Sequence, residues 1–249
     1  MKIISLNTWG GRVGQGVVDF VAARKDDVDI FCFQEIFNGG RDEQSEIDEN
    51  IKEKQYDLYS KLQVALPNHD GYFQASLGNW YGLAIFVKKN LQVKSEVTRF
   101  VHGEPYFVPT DDLGHHSRII QDLTLEFRHK ELHIINFHGL WNGRGKTDSD
   151  ERIKQSREIV NYLNTIEGDV ILSGDFNLLP DTQSIKIVED FGLRNLITEY
   201  GIASTRTSFY TKPDKFADYI FISPEVAVKS FSILPDEVSD HAALELVID

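Results

Sequence analysis

The sequence holds one cysteine, 7 prolines and no apolar run approaching 18 residues. A single cysteine excludes an intramolecular disulfide and suits a reducing compartment. Cys32 lies inside Ile30-Phe31-Cys32-Phe33, so it reads as a small buried hydrophobe rather than a reactive thiol. The apolar start Met1–Leu6 is too short for a secretory core and no small-residue cleavage site follows it. With no membrane-length run, the expectation is a cytoplasmic protein without a transmembrane segment. Positive charge is also scarce: 26 Lys+Arg stand against 39 Asp+Glu, a net of −13. That field opposes sequence-independent binding to duplex DNA unless bound cations or a local basic patch reverse it on one face. Several motifs are missing as well. There is no His-Glu-x-x-His, no paired cysteines, no P-loop, no Gly-x-Gly-x-x-Gly and no Gly-x-Ser-x-Gly elbow.

What is present is enough apolar material for a large core: 249 residues, 41% hydrophobic and 11% aromatic. No Gly/Ser/Pro linker and no repeat divides the chain, so residues 1–249 read as one domain. The polar stretch Arg41–Lys54 reads as a solvated helix or loop face, and Gly10–Gly16 as a flexible rim loop. Short apolar runs predict strands at Ile3–Leu6, Val28–Phe33, Leu83–Val87, Ile119–Phe127, Leu132–Phe137, Val170–Leu172, Tyr219–Ile222 and Leu244–Ile248. Helical spacing falls between them, at Val17/Phe20/Val21/Arg24, at Ile153/Ser156/Val160/Leu163 with a capping-box spacing from Thr147 to Asp150, and over Thr182–Glu189. Strands interleaved with helices, plus adjacent strand pairs, indicate a layered α/β fold with mixed sheets.

Polar residues cluster at the ends of these runs, where layered α/β folds present chemistry to a shared mouth. Asn7, Gln34-Glu35, His138, Asp175 with Asn177, Asp218, and Ser239-Asp240-His241 all fall there. Each alone has a structural use, as a turn residue, a cap or a core histidine. Together they offer hard oxygen ligands, two histidines and an aspartate able to orient one of them, a set suited to Mg²⁺ rather than zinc.

Ser5-Leu6-Asn7-Thr8-Trp9, Phe33-Gln34-Glu35, Asn136-Phe137-His138-Gly139-Leu140, Ser173-Gly174-Asp175-Phe176-Asn177, Ala217-Asp218-Tyr219-Ile220 and Ser239-Asp240-His241 resemble the successive motifs of the endonuclease/exonuclease/phosphatase superfamily. They occur in its order and span 5 to 241; the Gly-Asp-Phe-Asn and Ser-Asp-His blocks are the most specific. Tyr81–Phe86, Ser117-Arg118, and Arg152 with Gln155 fit as well. The resemblance implies a four-layer α/β sandwich, two face-to-face mixed sheets flanked by helices (DNase I-like). It implies Mg²⁺- or Mn²⁺-dependent hydrolysis of a phosphoester. It makes Glu35 the main metal carboxylate with Asn7 beside it, and Asp240 a residue near the metal or supporting the His241 pair. It makes Asp175 the residue that positions the attacking water, with Asn177 orienting it or a phosphate oxygen. His241, held by Asp218, and His138 would contact the phosphate. Trp9 stands where the apurinic-endonuclease branch has an acidic residue, and His138-Gly139-Leu140-Trp141 where that branch has Tyr and then Asn-Pro. The chain is thus more similar to the DNase I, sphingomyelinase, inositol-phosphatase and tyrosyl-DNA phosphodiesterase branches.

For substrate, the glycine-rich loop Trp141-Asn142-Gly143-Arg144-Gly145-Lys146 offers an aromatic and two cations that could stack a base and hold a phosphate; it could equally be a solvated loop with Trp141 packed on the rim. Arg118 could reach a substrate phosphate or be a strand-edge cation. Arg206, Tyr210, Lys212 and Lys215 form either a second rim or ordinary surface charge. His115-His116, adjacent on a strand, would point to opposite faces and are not a chelating pair. The expected partner is a phosphoester substrate, single-stranded or terminal nucleic acid fitting the acidic chain better than duplex, with no obligate protein partner implied. Alternatives are a small-molecule or lipid-headgroup phosphoester and, from another class, an inactive binding scaffold. The last has no reason to keep both Asp175 and an Asp218-supported His241.

Overall fold

The computed structural model describes residues 1–39, 54–105 and 115–249. The polar stretch read from Arg41 lies outside these, except for Lys54. Among the described residues, twelve strands form two six-stranded sheets. The first sheet contains β1 (Lys2–Asn7), β2 (Ile30–Phe37), β3 (His69–Leu77), β4 (Tyr81–Lys88), β11 (Val228–Ile233) and β12 (Leu244–Ile248), in the order β11-β12-β1-β2-β4-β3. The second contains β5 (Val93–His102), β6 (Arg118–Phe127), β7 (Lys130–His138), β8 (Asp169–Asp175), β9 (Arg194–Asn195) and β10 (Asp218–Ile222), in the order β5-β6-β7-β8-β10-β9. Each sheet is antiparallel except for one central parallel pair, β1/β2 in the first and β7/β8 in the second. Both sheets are therefore mixed, as the sequence indicated.

Alternation along the central strands sorts side chains between two layers. In β2, Ile30 and Cys32 join the core shared with the second sheet, whereas Phe31 and Phe33 face α1 (Gly16–Ala22) and α2 (Leu58–Ala65). On the far side, α3 (Asp150–Leu163) and α4 (Gln183–Asp190) pack on the second sheet through Ile159, Tyr162, Leu163, Ile185 and Val188. The result is a helix–sheet–sheet–helix sandwich. Cys32 is fully buried, and desolvation pushes its thiol up to about 12, consistent with an inert core side chain.

Four details differ from the sequence reading. The cap of α3 is Ser149, whose side chain accepts from Arg152 N, not Thr147. The buried face of α3 is Arg152, Gln155, Ser156, Ile159, Tyr162 and Leu163, while Ile153 and Val160 are only half-buried. Arg152 and Gln155 are drawn inward by backbone: Arg152 Nε donates to Leu140 O at 3.2 Å and Leu140 N donates to Gln155 Oε1 at 3.0 Å. Gly10 and Gly11 are buried and pinned, with Gln55 N and Nε2 donating to their carbonyls, so this stretch is not a free rim loop. Thr182 caps α4 rather than lying inside it.

A polar bridge ties the sheets together beneath the mouth. Gln34 Nε2 donates to Asn136 Oδ1 at 2.7 Å, and Asn136 Nδ2 donates to Phe33 O at 2.9 Å and Ala84 O at 3.2 Å. All three residues Gln34, Asn136 and Ala84 are completely buried. Although Gln34 Oε1 is left without a partner, these buried amide hydrogen bonds favour one register of sheet against sheet.

Candidate active site

The parallel pairs end side by side at one end of the sandwich. Asn7 closes β1, opposite Gln34 in β2; His138 and Asp175 are register partners at the ends of β7 and β8; Asp218 opens β10 opposite Asp175. His241 lies just before β12 and bridges to Arg206. Backbone strain collects here. Trp9, Glu35 and Asn177 are non-glycine residues with φ of 52°, 59° and 55°. Such conformations cost of order 1–3 kcal/mol each and persist where the surroundings hold them. Glu35 sits in a register shift of β2 against β4, between Phe33 and Ile36, and Thr8 Oγ1 donates to the carbonyls of Gln34 and Glu35 at 3.0 Å. The irregularity turns the Glu35 side chain toward the mouth. Gly174 is required by close approach: at φ 144° its missing Cβ would meet Phe137 O at 1.9 Å.

Asp175 is the hub. Its Oδ2 accepts from Asn7 Nδ2 at 2.9 Å, and lies 3.6 Å from His241 Nε2 and 3.7 Å from His138 Nε2. Its Oδ1 accepts from Asn177 N at 2.8 Å. The same Asn7 amide donates to Glu35 Oε1 at 3.1 Å, which is 3.9 Å from His138 Nε2. His241 Nδ1 donates to Asp218 at 2.8 Å, leaving Nε2 facing the mouth, 3.7 Å from Asp240 Oδ1. Arg206 holds the other oxygen of Asp240 at 3.0 Å.

The electrostatics separate the two histidines. Burial, reinforced by the Arg118 charge, lowers His138 to about 3, so it is neutral at physiological pH. Burial also works against the His241 cation, but Asp218, with Asp175 and Asp240, overcomes it and raises the pKa, favouring imidazolium. Burial would raise Asp175, yet the field of His241, His138, Lys146 and Arg206 holds it well below the usual carboxylate range.

A family model described as the endonuclease/exonuclease/phosphatase family matches residues 4–241. The chain belongs to that family. Solved structures agree on the fold. An endonuclease/exonuclease/phosphatase from Bacteroides vulgatus superposes with a TM-score of 0.72 at 17% identity, covering 100% of this chain and 98% of its own. A Bacteroides thetaiotaomicron mannosyl-6-phosphatase gives 0.75 at 17% identity, covering 100% and 99%. The human Nocturnin catalytic domain with bound sulfate gives 0.66 at 16%, covering 100% and 94%. No curated protein matches the sequence.

In this family member the sequence-derived residues Asn7, Glu35, His138, Asp175, Asn177, Asp218, Asp240 and His241 are brought together. Arg118 is buried at the start of β6, not at a strand edge, and its charge acts on Tyr81, Glu35 and Asp175. Trp141 and Asn142 stay on the loop after β7. Trp141 is half-buried with Lys212 Nζ 5.4 Å from its ring centre, and Asn142 Oδ1 accepts from Arg144 N at 3.1 Å, shaping its own turn. Lys146, read as a rim cation, is buried instead. Arg206 is likewise a clamp on Asp240 rather than surface charge. His116 was set aside with His115; it is buried, 6.5 Å from the His138 ring and edge-on to Tyr81 at 5.2 Å. Only its place one residue before Ser117-Arg118 hinted at this.

A hard divalent cation suits the donor set. Glu35 Oε1 and Asp175 Oδ2 converge on one amide, and Asp240 Oδ1 is buried without a hydrogen-bond partner. Among the described residues, Asp175, Asp218 and His241 also bring one potential ligand atom each within 4.8 Å of one another. His241 Nδ1 is already committed to both Asp218 oxygens, at 2.8 and 2.9 Å, so the Glu35 side of Asp175 is the better place for a cation.

Proposed function

We propose that this protein is a divalent-metal-dependent phosphoester hydrolase acting on phosphodiesters, with single-stranded or terminal nucleic acid as substrate. The observation that carries this reading is the convergence of His241 Nε2 on Asp175 Oδ2 at 3.6 Å, with the far nitrogen anchored on Asp218. Glu35, with Asn7 beside it, would hold Mg²⁺ or Mn²⁺, and Asp240 stands beside His241 Nε2 at the mouth. When bound, the ion supplies charge neutralisation on the phosphoryl oxygens.

The side chains account for the remaining needs. Asp175, ionised at neutral pH, accepts a hydrogen bond from the attacking water and aligns it; the water oxygen bonds to phosphorus as the bond to the leaving oxygen breaks, and Asp175 takes the water proton. Asn177 orients that water or a phosphate oxygen. His241, as imidazolium, donates from Nε2 to the charge that builds on phosphorus oxygens, and neutral His138 donates a second hydrogen bond. Arg118 adds buried positive charge beside the phosphate. Trp141 and Asn142 form the outer wall, where a base could stack. One relative's name, mannosyl-6-phosphatase, supports a second reading, hydrolysis of a small phosphomonoester. The single, buried thiol fits a cytoplasmic setting.

The test is a turnover panel on protein stripped with EDTA and resupplied with Mg²⁺, Mn²⁺ or Ca²⁺. Substrates are single- and double-stranded DNA and RNA, a chromogenic diester, a monoester and an inositol phosphate. Metal-dependent cleavage of nucleic acid supports the first reading, and monoester turnover alone moves the assignment to the second. No turnover under any condition overturns both.

A further inference from the structure

Lys146 is a buried charge that the mechanism leaves unused. Only 2% of it is exposed. It connects three chain segments that build the mouth. It belongs to the loop that follows His138. Its carbonyl accepts from Leu179 N at 2.8 Å, beyond the turn carrying Asp175 and Asn177. Its Nζ donates to Phe216 O at 2.9 Å, two residues before Asp218. The Nζ also lies 5.1 Å from the centre of the Tyr210 ring, against which Arg206 stacks at 4.1 Å while holding Asp240. The run into β10 is otherwise held by Thr205 Oγ1, which accepts from Ala217 N and Asp218 N at 3.1 and 3.3 Å, and by Phe176 N on Ala217 O at 2.7 Å.

Burying an ammonium is costly unless it is paired and hydrogen-bonded. A methionine would fill the same space without that cost, so packing alone does not explain a lysine here. The positive charge lies where Asp175 and Asp218 both feel it, and burial brings its pKa down to about 8.

We propose that Lys146 is a positioning residue of the active site: its carbonyl holds the turn after Asp175 to the His138 loop, and its ammonium ties that loop to the entry of β10 and so sets where Asp218 holds His241 against Asp175. The effect on rate rests on the hydrolase reading above, whereas the effect on His241 does not.

The experiment compares Lys146→Met, which keeps the stem and loses the charge, with Lys146→Arg, which keeps the charge and a donor for Phe216 O. With the diester substrate, Lys146→Met is expected to lower kcat by about 10²-fold with KM little changed, the scale on which small misplacements act. Lys146→Arg is expected to recover most of it. The second readout is the proton on His241 Nδ1, followed by NMR and assigned by its loss in His241→Gln. It should shift in Lys146→Met and return in Lys146→Arg. The corresponding proton of His133, which faces Asp122 elsewhere in the second sheet, should not move. Wild-type kcat and an unshifted His241 proton in Lys146→Met overturn the proposal, as does a shift of both histidine protons together, which marks general loosening. If Lys146→Met does not fold, Lys146→Gln, which retains a donor, is read the same way. If the wild-type protein hydrolyses no phosphoester, the hydrolase reading fails and the His241 proton alone decides.

Discussion

Two buried Asp–His pairs share a geometry, with both aspartates in the second sheet, yet only one pair faces the mouth. Asp218 and His241 lie 2.8 Å apart, and Asp122 and His133 lie 2.7 Å apart. In both, burial opposes the histidine cation and the carboxylate overcomes it. They differ in what the second ring nitrogen meets. His133 Nε2 is bonded to Glu167 O at 2.9 Å, and Tyr162 OH donates to Asp122 Oδ2 at 2.7 Å under α3. That imidazole has both nitrogens committed. His241 Nε2 faces Asp175 and Asp240 at 3.6 and 3.7 Å, too far for a good hydrogen bond. An Asp–His contact is therefore no signature of chemistry; an oriented nitrogen with room in front of it is.

The strongest way to break this contrast is to remove what His241 faces. Asp175→Asn keeps the shape and the acceptor for Asn177 N but loses the charge. It should cut kcat by ~10²–10⁴, as for a positioned acid–base group, with an unchanged circular dichroism spectrum. Near-normal turnover would deny Asp175 its role and leave His241 as sealed a pair as His133.

Next in size is the direct exchange. Breaking either buried pair should cost about 3–5 kcal/mol of stability, because an uncompensated carboxylate remains. Activity should separate them. In protein that urea titration shows to be folded, His241→Gln should lose ~10²–10³ in kcat, the cost of removing a transition-state donor. His133→Gln should keep wild-type kcat. Equal losses would mean that both act through the sheet and neither through substrate.

The sequence located the mouth pair more readily than it explained the difference. Strand-end placement of Asn7, His138, Asp175 and Asp218 is visible because the central strands are dense apolar runs with abrupt ends. Asp122 and His133 sit inside such runs, where nothing distinguishes a structural network from a site. Edge strands escaped notice for a related reason. The residues of β5 and β11 are largely exposed or half-buried, so neither alternation nor density marks them. The face of α3 was displaced because Arg152 and Gln155 are buried for hydrogen bonds to the His138 loop, which a hydrophobic pattern cannot report. Lys146 was misplaced likewise: a lysine at the end of a glycine-rich loop looks solvated, and its acceptor Phe216 O lies 70 residues away.

A smaller effect sharpens the contrast at the outer wall. In the proposed function Trp141, on the loop after His138, walls the mouth. Trp141→Ala should raise KM for single-stranded oligonucleotides by about 10-fold, within the range for one base–aromatic stack, while leaving a small chromogenic diester nearly untouched. Equal effects on both substrates would reduce Trp141 to a platform for Lys212.

The smallest effect is on stability against pH, and its sign sets His138 apart from His133 and His241. For His133 and His241 the folded pKa is raised above the ordinary imidazole value. Their contribution is then fully present below the unfolded pKa and is lost as pH rises through the folded one. For His138, lowered from 6.5 to about 3, the unfolded chain binds the extra proton, so stability falls as pH drops from about 6.5 toward 3. Urea midpoints at pH 5, 7 and 9 should therefore show the alkaline loss reduced in His133→Gln and His241→Gln alike, and the acid loss reduced only in His138→Gln. Occupation of the mouth by a phosphate analogue separates the first two. An anion on Nε2 favours the imidazolium further, so it should move the alkaline loss of the His241 contribution to higher pH and leave that of His133 in place. A shift in neither would mean that the His241 nitrogen, though unbonded, is not open to an anion.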